Sequence, residues 1–315
     1  MGWLWGRSAN GFGASTSAEE ATEGIDASGL TVVLTGGFKG IGVYTARTLA
    51  NRGAHVIMAG RNMTDGAAAK EGILKDFPQA KVDIMELDLA SFDSVRAFAK
   101  EFSSRDLPLN TLINNAGVMA CPFQLSKDGY ELQFATNHLG HFLLTNLLLD
   151  KLKATAQSTG IESRIVNLSS AAHAWTYKGG IRWGKINEEQ GYHNWKAYGQ
   201  SKLANICHAK ELARRLKEEG ANVTANSLHP GGINTDLQRH LVGIVGVAAR
   251  FFGSFAKTVP QGAATTCYVA LHPNVKSVSG EYFVNCNIAQ PSSYAKDDDL
   301  SRRLWDLSVE MTSKS

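Results

Sequence analysis

The chain of 315 residues is poor in cysteine and in excess charge of either sign. Its four cysteines are Cys121, Cys207, Cys267 and Cys286, and no two of them have C-x-x-C spacing. Because that spacing is absent, the sequence predicts neither a zinc knuckle nor a redox dithiol. It favours free thiols in a reducing compartment. The formal net charge is only +3. The composition therefore carries no footprint of nucleic-acid binding.

Long apolar runs are missing as well. No stretch of 18 apolar residues occurs, which predicts that the chain has no membrane span. Residues 1–6 lack the apolar core of a secretory signal, and residues 8–28 are rich in Ser, Gly, Ala and Glu. We therefore expect residues 1–28 to form a flexible leader before a single domain at residues 29–315. A Ser- and Ala-rich start leaves an organelle address open.

Strand and helix patterns alternate along most of the chain. Short apolar or β-branched runs predict strands at 30–34, 55–58, 82–86, 111–114, 164–168, 223–228 and 280–284. With helices between them, this alternation predicts an α/β fold, a Rossmann-like doubly wound parallel sheet that binds ligands beyond the carboxyl ends of its strands. After the sixth strand comes an insertion near 234–260, whose centre carries one charged residue. It fits a buried helix pair and a lid over a lipophilic pocket equally well.

A glycine-rich turn, Thr35 to Gly42, lies between the first strand and the following helix. Glycines let the backbone bend tightly and approach a pyrophosphate, while a helix beginning near residue 41 offers free N–H groups. The turn therefore predicts a dinucleotide site. Its members are Gly36, Phe38, Lys39, Gly40, Ile41 and Gly42.

The residues after the second strand bear on the choice of cofactor. No Asp or Glu occurs at 51–64, where a carboxylate would hold the ribose 2′-hydroxyl of NAD. Arg61 stands there instead, and Lys39 adds a second cation. Two cations suit a 2′-phosphate, so NADP(H) is predicted; solvated surface charges are the alternative. Asp88 with Leu89 is expected to cap the adenine edge, or else to begin a helix.

The motif Tyr-x-x-x-Lys occurs twice, at Tyr192–Lys196 and at Tyr198–Lys202. The second copy opens a helical pattern, on which residues four apart share a face. Tyr198 and Lys202 can therefore point at one ligand. The ammonium is expected to lower the pKa of the phenol, so that Tyr198 exchanges the hydroxyl proton while the cofactor moves a hydride.

Two polar positions complete this predicted site. Ser170 is preferred to Ser169 at the end of the fifth strand, because alternation along the strand turns it toward a substrate carbonyl oxygen. Asn137 lies within a predicted helix, where asparagine is disfavoured. That position suggests a polar task such as holding a water near Lys202, with a packing amide as the alternative.

Aromatic and turn residues around these segments extend the prediction. A lipophilic substrate pocket is expected from His173, Trp175 and Trp195 together with Ser170. A turn after the sixth strand is expected to close over the nicotinamide end through Pro230, Gly231 and Thr235. No metal is expected, because no spacing repeats a metal motif among His138, His141 and His173.

Taken together, the motifs resemble the short-chain dehydrogenase/reductase family over roughly residues 28–290. The resemblance implies an NADP-dependent enzyme acting on CH–OH and C=O groups. It implies a catalytic tetrad of Asn137, Ser170, Tyr198 and Lys202. It also implies cofactor contacts by Asn115, Ala116, Gly117, Tyr198 and Lys202.

Longer phrases, such as QFATNHLGHF and YGQSKLAN, are similar to the retinol-dehydrogenase-like branch, and residues 260–271 are similar to plant members. Those relatives imply reduction or oxidation of a lipophilic terpenoid, steroid-like, retinoid-like or alkaloid compound. The alternative they imply is an NADPH-sensing, calmodulin-binding regulatory subunit of the chloroplast protein import translocon, although residues 239–257 are only moderately basic. The expected location is the cytoplasm, or the chloroplast inner envelope with peripheral membrane contact. The expected oligomeric state is a monomer or a homodimer.

The glycine turn departs from the plant pattern in one respect. Plant members usually have Ala-Ser-Ser where this chain has Gly37-Phe38-Lys39. Small hydroxyls that would touch the cofactor are replaced by a bulky ring and a cation. The three glycines of the motif are kept, so phosphate binding is still expected.

Overall fold

The computed structural model of the chain describes residues 10–232 and 257–313. Its strands are β1 (Thr31–Thr35), β2 (His55–Gly60), β3 (Lys81–Glu86), β4 (Thr111–Asn114), β5 (Ser163–Leu168), β6 (Val223–His229), β7 (Tyr282–Val284) and β8 (Asn287–Ile288). Within the described residues they form one sheet in the order β3-β2-β1-β4-β5-β6-β7-β8. All neighbouring pairs are parallel except β7 and β8, which are antiparallel.

The helices connect these strands. They are α1 (Gly40–Asn51), α2 (Met63–Asp76), α3 (Phe92–Ser104), α4 (Leu132–Phe134), α5 (Gly140–Thr159), α6 (Asn194–Glu218), α7 (Val259–Leu271), α8 (Ser293–Lys296) and α9 (Asp298–Ser313). A π-helix, Ala135–Leu139, joins α4 to α5. Short 3-10 turns lie at Glu20–Thr22, Ala171–Ala174 and Pro273–Val275.

Helices cover both faces of the sheet. Val33 and Ile57 belong to a core cluster with α3, α5, α6 and α9, whereas Val32 and Val56 belong to a second cluster with α1, α2 and α7. Successive strand residues point to opposite faces, so both faces of a parallel sheet become apolar and buried. The predicted doubly wound α/β fold is confirmed.

The strand order places a crevice beyond the carboxyl ends of the neighbouring strands β1 and β4. From β1 the chain proceeds outward to β2 and β3, then returns to β4 on the other side of β1. The loops after β1 and β4 therefore leave in opposite directions and open a cleft beyond the strand ends. The glycine turn and the Asn-Asn-Ala-Gly segment are these two loops.

The structure corrects the expectation of a flexible leader for residues 10–28, which we call the N-terminal strap. Ala18 is fully buried, and its amide donates to the carbonyl of Pro260 at 3.0 Å. The ring of Phe12 packs edge-on against Tyr268, with 5.4 Å between centroids. Small residues that are typical of a linker here permit close packing against α1 and α7.

The insertion near 234–260 lies outside the described residues up to residue 256, and Thr235 lies there too. The described chain resumes at Lys257, whose amide donates to the carbonyl of Gly232 at 2.8 Å. Among the described helices, none combines the length and apolar content that crossing a bilayer requires.

Candidate active site

A cavity of about 300 Å³ occupies the cleft beyond β1 and β4. Most of the predicted cofactor-binding residues line it. They are Gly36, Lys39, Gly40, Ile41, Gly42, Arg61, Asp88, Leu89, Asn115, Ala116, Gly117, Tyr198, Lys202 and Pro230. Two predicted residues, Phe38 and Gly231, are not among the lining residues. The cleft is long enough to bring the glycine turn and the Tyr-Lys pair into one site.

Several residues that line the cleft were not among the predicted site residues. Among them are Val118, Met119, Thr136, Leu168 and Ser169. The hydroxyl of Thr136 is buried and has no hydrogen-bond partner among the described residues. In the sequence, only its position directly before Asn137 indicated a place near the site.

The glycine turn and the loop after β4 form one tightly joined unit. A side chain on Gly42 would lie 2.0 Å from the carbonyl oxygen of Gly36, and one on Gly36 would lie 2.8 Å from Ala116. The hydroxyl of Thr35 accepts hydrogen bonds from the amides of Asn115 and Ala116 at 2.9 and 3.0 Å. Only glycine fits both positions, and the resulting cradle has room for a phosphate at the start of α1.

The side chain of Phe38 does not line the cleft, and its predicted contact with the cofactor stays a prediction. Its ring lies in a slot between the end of β2 and the first turn of α2. A side chain on Gly60 would come within 2.7 Å of the ring, and one on Gly66 within 2.8 Å. An apolar ring gains by leaving water, so it packs away from the phosphate cradle.

The predicted cations lie on both walls of the same end of the cleft. The ammonium of Lys39 is 2.7 Å from a carboxylate oxygen of Asp65 in the first turn of α2. Arg61 is exposed and lines the cleft. Asn62 caps α2 by accepting from the amides of Thr64 and Asp65. Two cations thus border the place expected for a 2′-phosphate, one of them already paired.

The structure places Asp88 beside the cleft and not at a helix N-cap. It lines the cleft, its carboxylate accepts from the amide of Ala90 at 3.1 Å, and it lies 3.3 Å from the ammonium of Lys127. The N-cap of α3 is Ser91, so Asp88 does not itself begin that helix.

Tyr198 and Lys202 lie one turn apart on α6, and each is only 5% exposed. The ammonium nitrogen is 5.7 Å from the centre of the phenol ring and donates to the carbonyl of Leu168 at 3.1 Å. The side chain of Ser170 lies close enough to the phenol to lower its pKa. The structure therefore brings Tyr198 and Lys202 together at the inner end of the cleft, with Ser170 near the phenol.

The pKa of the phenol differs from the sequence-based expectation. Burial raises the pKa of Tyr198 to about 12, and the hydrogen bond with Ser170 acts in the opposite direction. Burial lowers the pKa of Lys202 to about 8. Lys202 lies 5.7 Å from the centre of the ring, and burial is the larger influence on the phenol pKa.

The two serines after β5 have separate tasks. The hydroxyl of Ser169 is 3% exposed and donates to the backbone carbonyl of Lys202 at 2.7 Å. Ser170 begins the 3-10 turn by accepting from the amide of Ala172 and still reaches Tyr198. Ser169 is among the residues that line the cleft and Ser170 is not, so the substrate-facing role of Ser170 stays a prediction.

Gly199 allows this 3-10 turn to lie directly on α6. A side chain there would be 2.3 Å from the carbonyl oxygen of Trp175 and 2.6 Å from that of Ala172. These backbone atoms cannot move aside without carrying Ser170 with them. The spacing of Ser170 from Tyr198 therefore depends on glycine at this position.

Asn137 lies in the π-helix, fully buried. Its amide oxygen accepts from the amide of Val118 at 2.8 Å, and its amide nitrogen donates to the carbonyl of Val118 and to the hydroxyl of Ser201, each at 2.9 Å. The amide oxygen keeps one acceptor position, so the water-holding task stays a prediction beside the packing role. The side chain clamps the loop after β4 onto α6, beside Lys202.

His141 links the same region to β1. Its Nδ1 donates to the carbonyl of Asn137 at 3.0 Å, and its Nε2 lies 2.8 Å from the hydroxyl of Thr35. Burial lowers the pKa of His141 to about 4, so the ring is neutral near pH 7. His138 bonds Ser308 on α9. Within the described residues, no group of three metal-binding side chains is arranged around a common point.

The predicted substrate-pocket residues separate into two kinds. His173 is a correction: it is 5% exposed, its Nδ1 donates to the carbonyl of Ser170 at 2.7 Å, and its Nε2 accepts from the amide of Ser292 at 2.9 Å. Both ring nitrogens thus bond backbone groups, and the ring joins Ser170 to Ser292. Trp195 lies edge-on to Tyr198 at 6.5 Å between centroids, and Trp175 is 73% exposed.

Comparison with known proteins adds to this geometry. The family model described as short chain dehydrogenase matches residues 30–243. Two Brassica napus proteins, short-chain dehydrogenases TIC 32 A and TIC 32 B, chloroplastic, are each 55% identical over 303 residues, 96% of this chain and 94% of theirs. Retinol dehydrogenase 11 of Mus musculus is 42% identical over 295 residues, 94% of this chain and 90% of its own.

Solved structures agree with the fold. A Mycobacterium paratuberculosis protein superposes with a TM-score of 0.75 at 35% identity, over 93% of this chain and 97% of that one. RhlG of Pseudomonas aeruginosa, solved with NADP, superposes with a TM-score of 0.64 at 23% identity, over 82% of this chain and 95% of that one. The second likeness is a likeness of fold alone.

Proposed function

The chain belongs to the short chain dehydrogenase family, and we propose that it is an NADPH-dependent oxidoreductase that interconverts a carbonyl and an alcohol on a lipophilic small molecule. The observation that carries this proposal is the meeting of Tyr198 and Lys202 in the cleft that begins at the glycine turn, with Ser170 close to the phenol. A protein that only bound a nucleotide would have no need of a buried phenol beside a buried ammonium.

The residues of the cleft fit NADP(H). The glycine cradle leaves space that a side chain would fill, and Thr136 offers a buried hydroxyl without a partner. Lys39 and Arg61 border the end where an adenosine 2′-phosphate would lie, and no carboxylate follows β2 before Asp65. When bound, NADPH would supply the hydride for reduction, and NADP⁺ would accept one in the reverse direction.

The chain's own groups handle the proton and the carbonyl. Ser170 would donate a hydrogen bond to the substrate oxygen, and Tyr198 would give that oxygen its proton as negative charge develops. Burial raises the pKa of Tyr198, so the phenol is protonated near neutral pH and can donate a proton to a substrate oxygen. Lys202 would stabilise the phenolate left behind.

A lipophilic substrate is supported by the aromatic side chains beside Tyr198. Trp195 lies against the phenol, and the exposed Trp175 directly follows the 3-10 turn that begins at Ser170. Relatives that are 42% identical carry the name retinol dehydrogenase. A terpenoid, steroid-like, retinoid-like or alkaloid carbonyl compound is the proposed class.

The test is consumption of NADPH with a panel of lipophilic ketones and aldehydes, comparing Tyr198→Phe with Tyr192→Phe. Tyr198→Phe should lose about 10²- to 10⁴-fold in kcat with unchanged NADPH affinity, because only the proton donor is removed. Tyr192, the other copy of the motif, bonds the carbonyl of Cys121, and its variant should keep most turnover. A Tyr198→Phe enzyme within tenfold of the wild type would refute the proton transfer.

A second candidate is a regulatory subunit of the chloroplast import translocon that binds NADPH and calmodulin. The 55% identity with chloroplastic relatives favours this candidate and a location at the inner envelope over the cytoplasm. The proposed calmodulin segment, 239–257, lies outside the described residues except for Lys257. NADPH binding without turnover of any compound, together with calcium-dependent capture by immobilised calmodulin, would favour it.

A further inference from the structure

Two adjacent residues of the glycine turn, Phe38 and Lys39, both reach across to the corner between β2 and α2. The ring of Phe38 fills the slot between Gly60 and Gly66. The ammonium of Lys39 pairs with Asp65, which precedes Gly66 in the first turn of α2. Lys39 and the ring of Phe38 thus contact the same corner of the fold.

The ion pair of Lys39 and Asp65 borders the nucleotide cleft. Lys39 lines the cleft, its side chain is 60% exposed, and that of Asp65 is 31% exposed. Arg61, which directly follows β2, lines the same end of the cleft. An anion entering there would find one cation free to turn toward it and one cation already neutralised.

We propose that Asp65 is a specificity-determining residue for the cofactor: it holds Lys39 against α2, and an adenosine 2′-phosphate must take Lys39 from it. This inference rests on the proposed NADPH-dependent function. A 2′-hydroxyl has no charge with which to compete for the ammonium, so NADH would leave the pair intact. Asp65 therefore weakens the preference for NADPH that Lys39 and Arg61 create.

The direction of the effect follows from charge. Removing the carboxylate leaves Lys39 unpaired and removes a negative charge from the neighbourhood of the phosphate, so a dianionic 2′-phosphate binds more tightly. Partly exposed charges are screened by water and salt, so the gain is limited. We expect Asp65→Asn to bind NADPH about three- to tenfold more tightly, and NADH within about twofold of the wild type.

The experiment measures dissociation constants by tryptophan fluorescence for NADPH, NADH and the fragment 2′,5′-ADP, at low and high salt. The matched control is Asp76→Asn on the same helix, whose carboxylate lies 3.1 Å from the guanidinium of Arg47. NADPH and 2′,5′-ADP should tighten in Asp65→Asn alone, and the difference should shrink in high salt. Asp65→Asn keeps the helix cap at Asn62, and its melting temperature reports whether it is folded.

A double variant separates two routes to the same result. With Lys39→Met already in place, Asp65→Asn should change NADPH affinity by less than about twofold, because the carboxylate acts through the ammonium. An undiminished gain there would overturn the assigned route. Unchanged or weaker NADPH binding in the single variant would overturn the proposal, since it would mean that Asp65 is neutral or positions Lys39 for the phosphate. Equal affinity of the wild type for NADPH and NADH would instead refute the NADPH preference itself.

Discussion

The slot that holds Phe38 makes two glycines of one helix respond oppositely to the same substitution. Gly66 and Gly72 both lie in α2, and neither has a positive φ. A side chain on Gly72 would meet nothing within 4 Å, whereas one on Gly66 would lie 2.8 Å from the tip of the Phe38 ring. Gly72→Ala should therefore stabilise the protein, and Gly66→Ala should not.

The magnitudes follow from opposing terms. Replacing a helical glycine by alanine is worth about 1 kcal/mol through reduced backbone entropy of the unfolded chain. Forcing a methyl group into a filled site costs about 1–3 kcal/mol. Gly72→Ala should raise the free energy of unfolding by about 1 kcal/mol, and Gly66→Ala should change it by about 0 to −2 kcal/mol.

Urea unfolding of Gly66→Ala, Gly72→Ala, Phe38→Ala and the double variant Phe38→Ala/Gly66→Ala tests this reasoning. Once the ring is gone, Gly66→Ala should gain about 1 kcal/mol, as Gly72→Ala does, so the two positions should show a coupling energy of about 1–3 kcal/mol. If Gly66→Ala stabilises the protein as much as Gly72→Ala with Phe38 present, the ring does not occupy the slot.

Three further outcomes are expected. Burial lowers the pKa of His141 to about 4 and of His208 to about 3. As the pH falls below about 6.5, these histidines take up protons in the unfolded chain but not in the folded protein. The free energy of unfolding should therefore fall by up to about 3 kcal/mol per histidine between pH 7 and 4.5. Urea titrations that show constant stability over this range would contradict this. Gly199→Ala should lower kcat about tenfold or more with unchanged NADPH affinity, because it displaces Ser170, and an unaltered kcat would argue against that displacement. Arg61→Asp should move the ratio of NADPH to NADH affinity toward NADH by about tenfold or more, and a constant ratio would count against the 2′-phosphate assignment.

The alternation of strand and helix signals was sufficient to predict the sheet, because a parallel strand buried on both faces must be apolar throughout. It did not single out α2 or α9. In α2 two glycines and a run of alanines leave only a weak apolar stripe, and the helix exists because Asn62 caps it and Ile73 packs into the core. Contacts distant in sequence outweigh local propensity there.

The site was predictable where backbone geometry demands a residue type, as in the glycine cradle and the spacing of Tyr198 from Lys202. Contacts between segments were not predictable. The π-helix depends on Asn137 clamping Val118, 19 residues away, and the destination of the Phe38 ring depends on the absence of side chains at Gly60 and Gly66. A single sequence states neither pairing, and the pKa of Tyr198 depends on burial that only the packed structure determines.

The N-terminal strap has a consequence for the order in which the protein is made. Ala18 bonds Pro260, and Phe12 packs against Tyr268. At typical synthesis rates these partners emerge from the ribosome roughly 10–50 s after the strap itself. During that interval the strap has no surface of α7 to pack on, although strands β1 to β6 have already been synthesised. An enzyme or receptor that acts on this segment thus meets an accessible peptide on the nascent chain and a hydrogen-bonded, partly buried one on the finished protein.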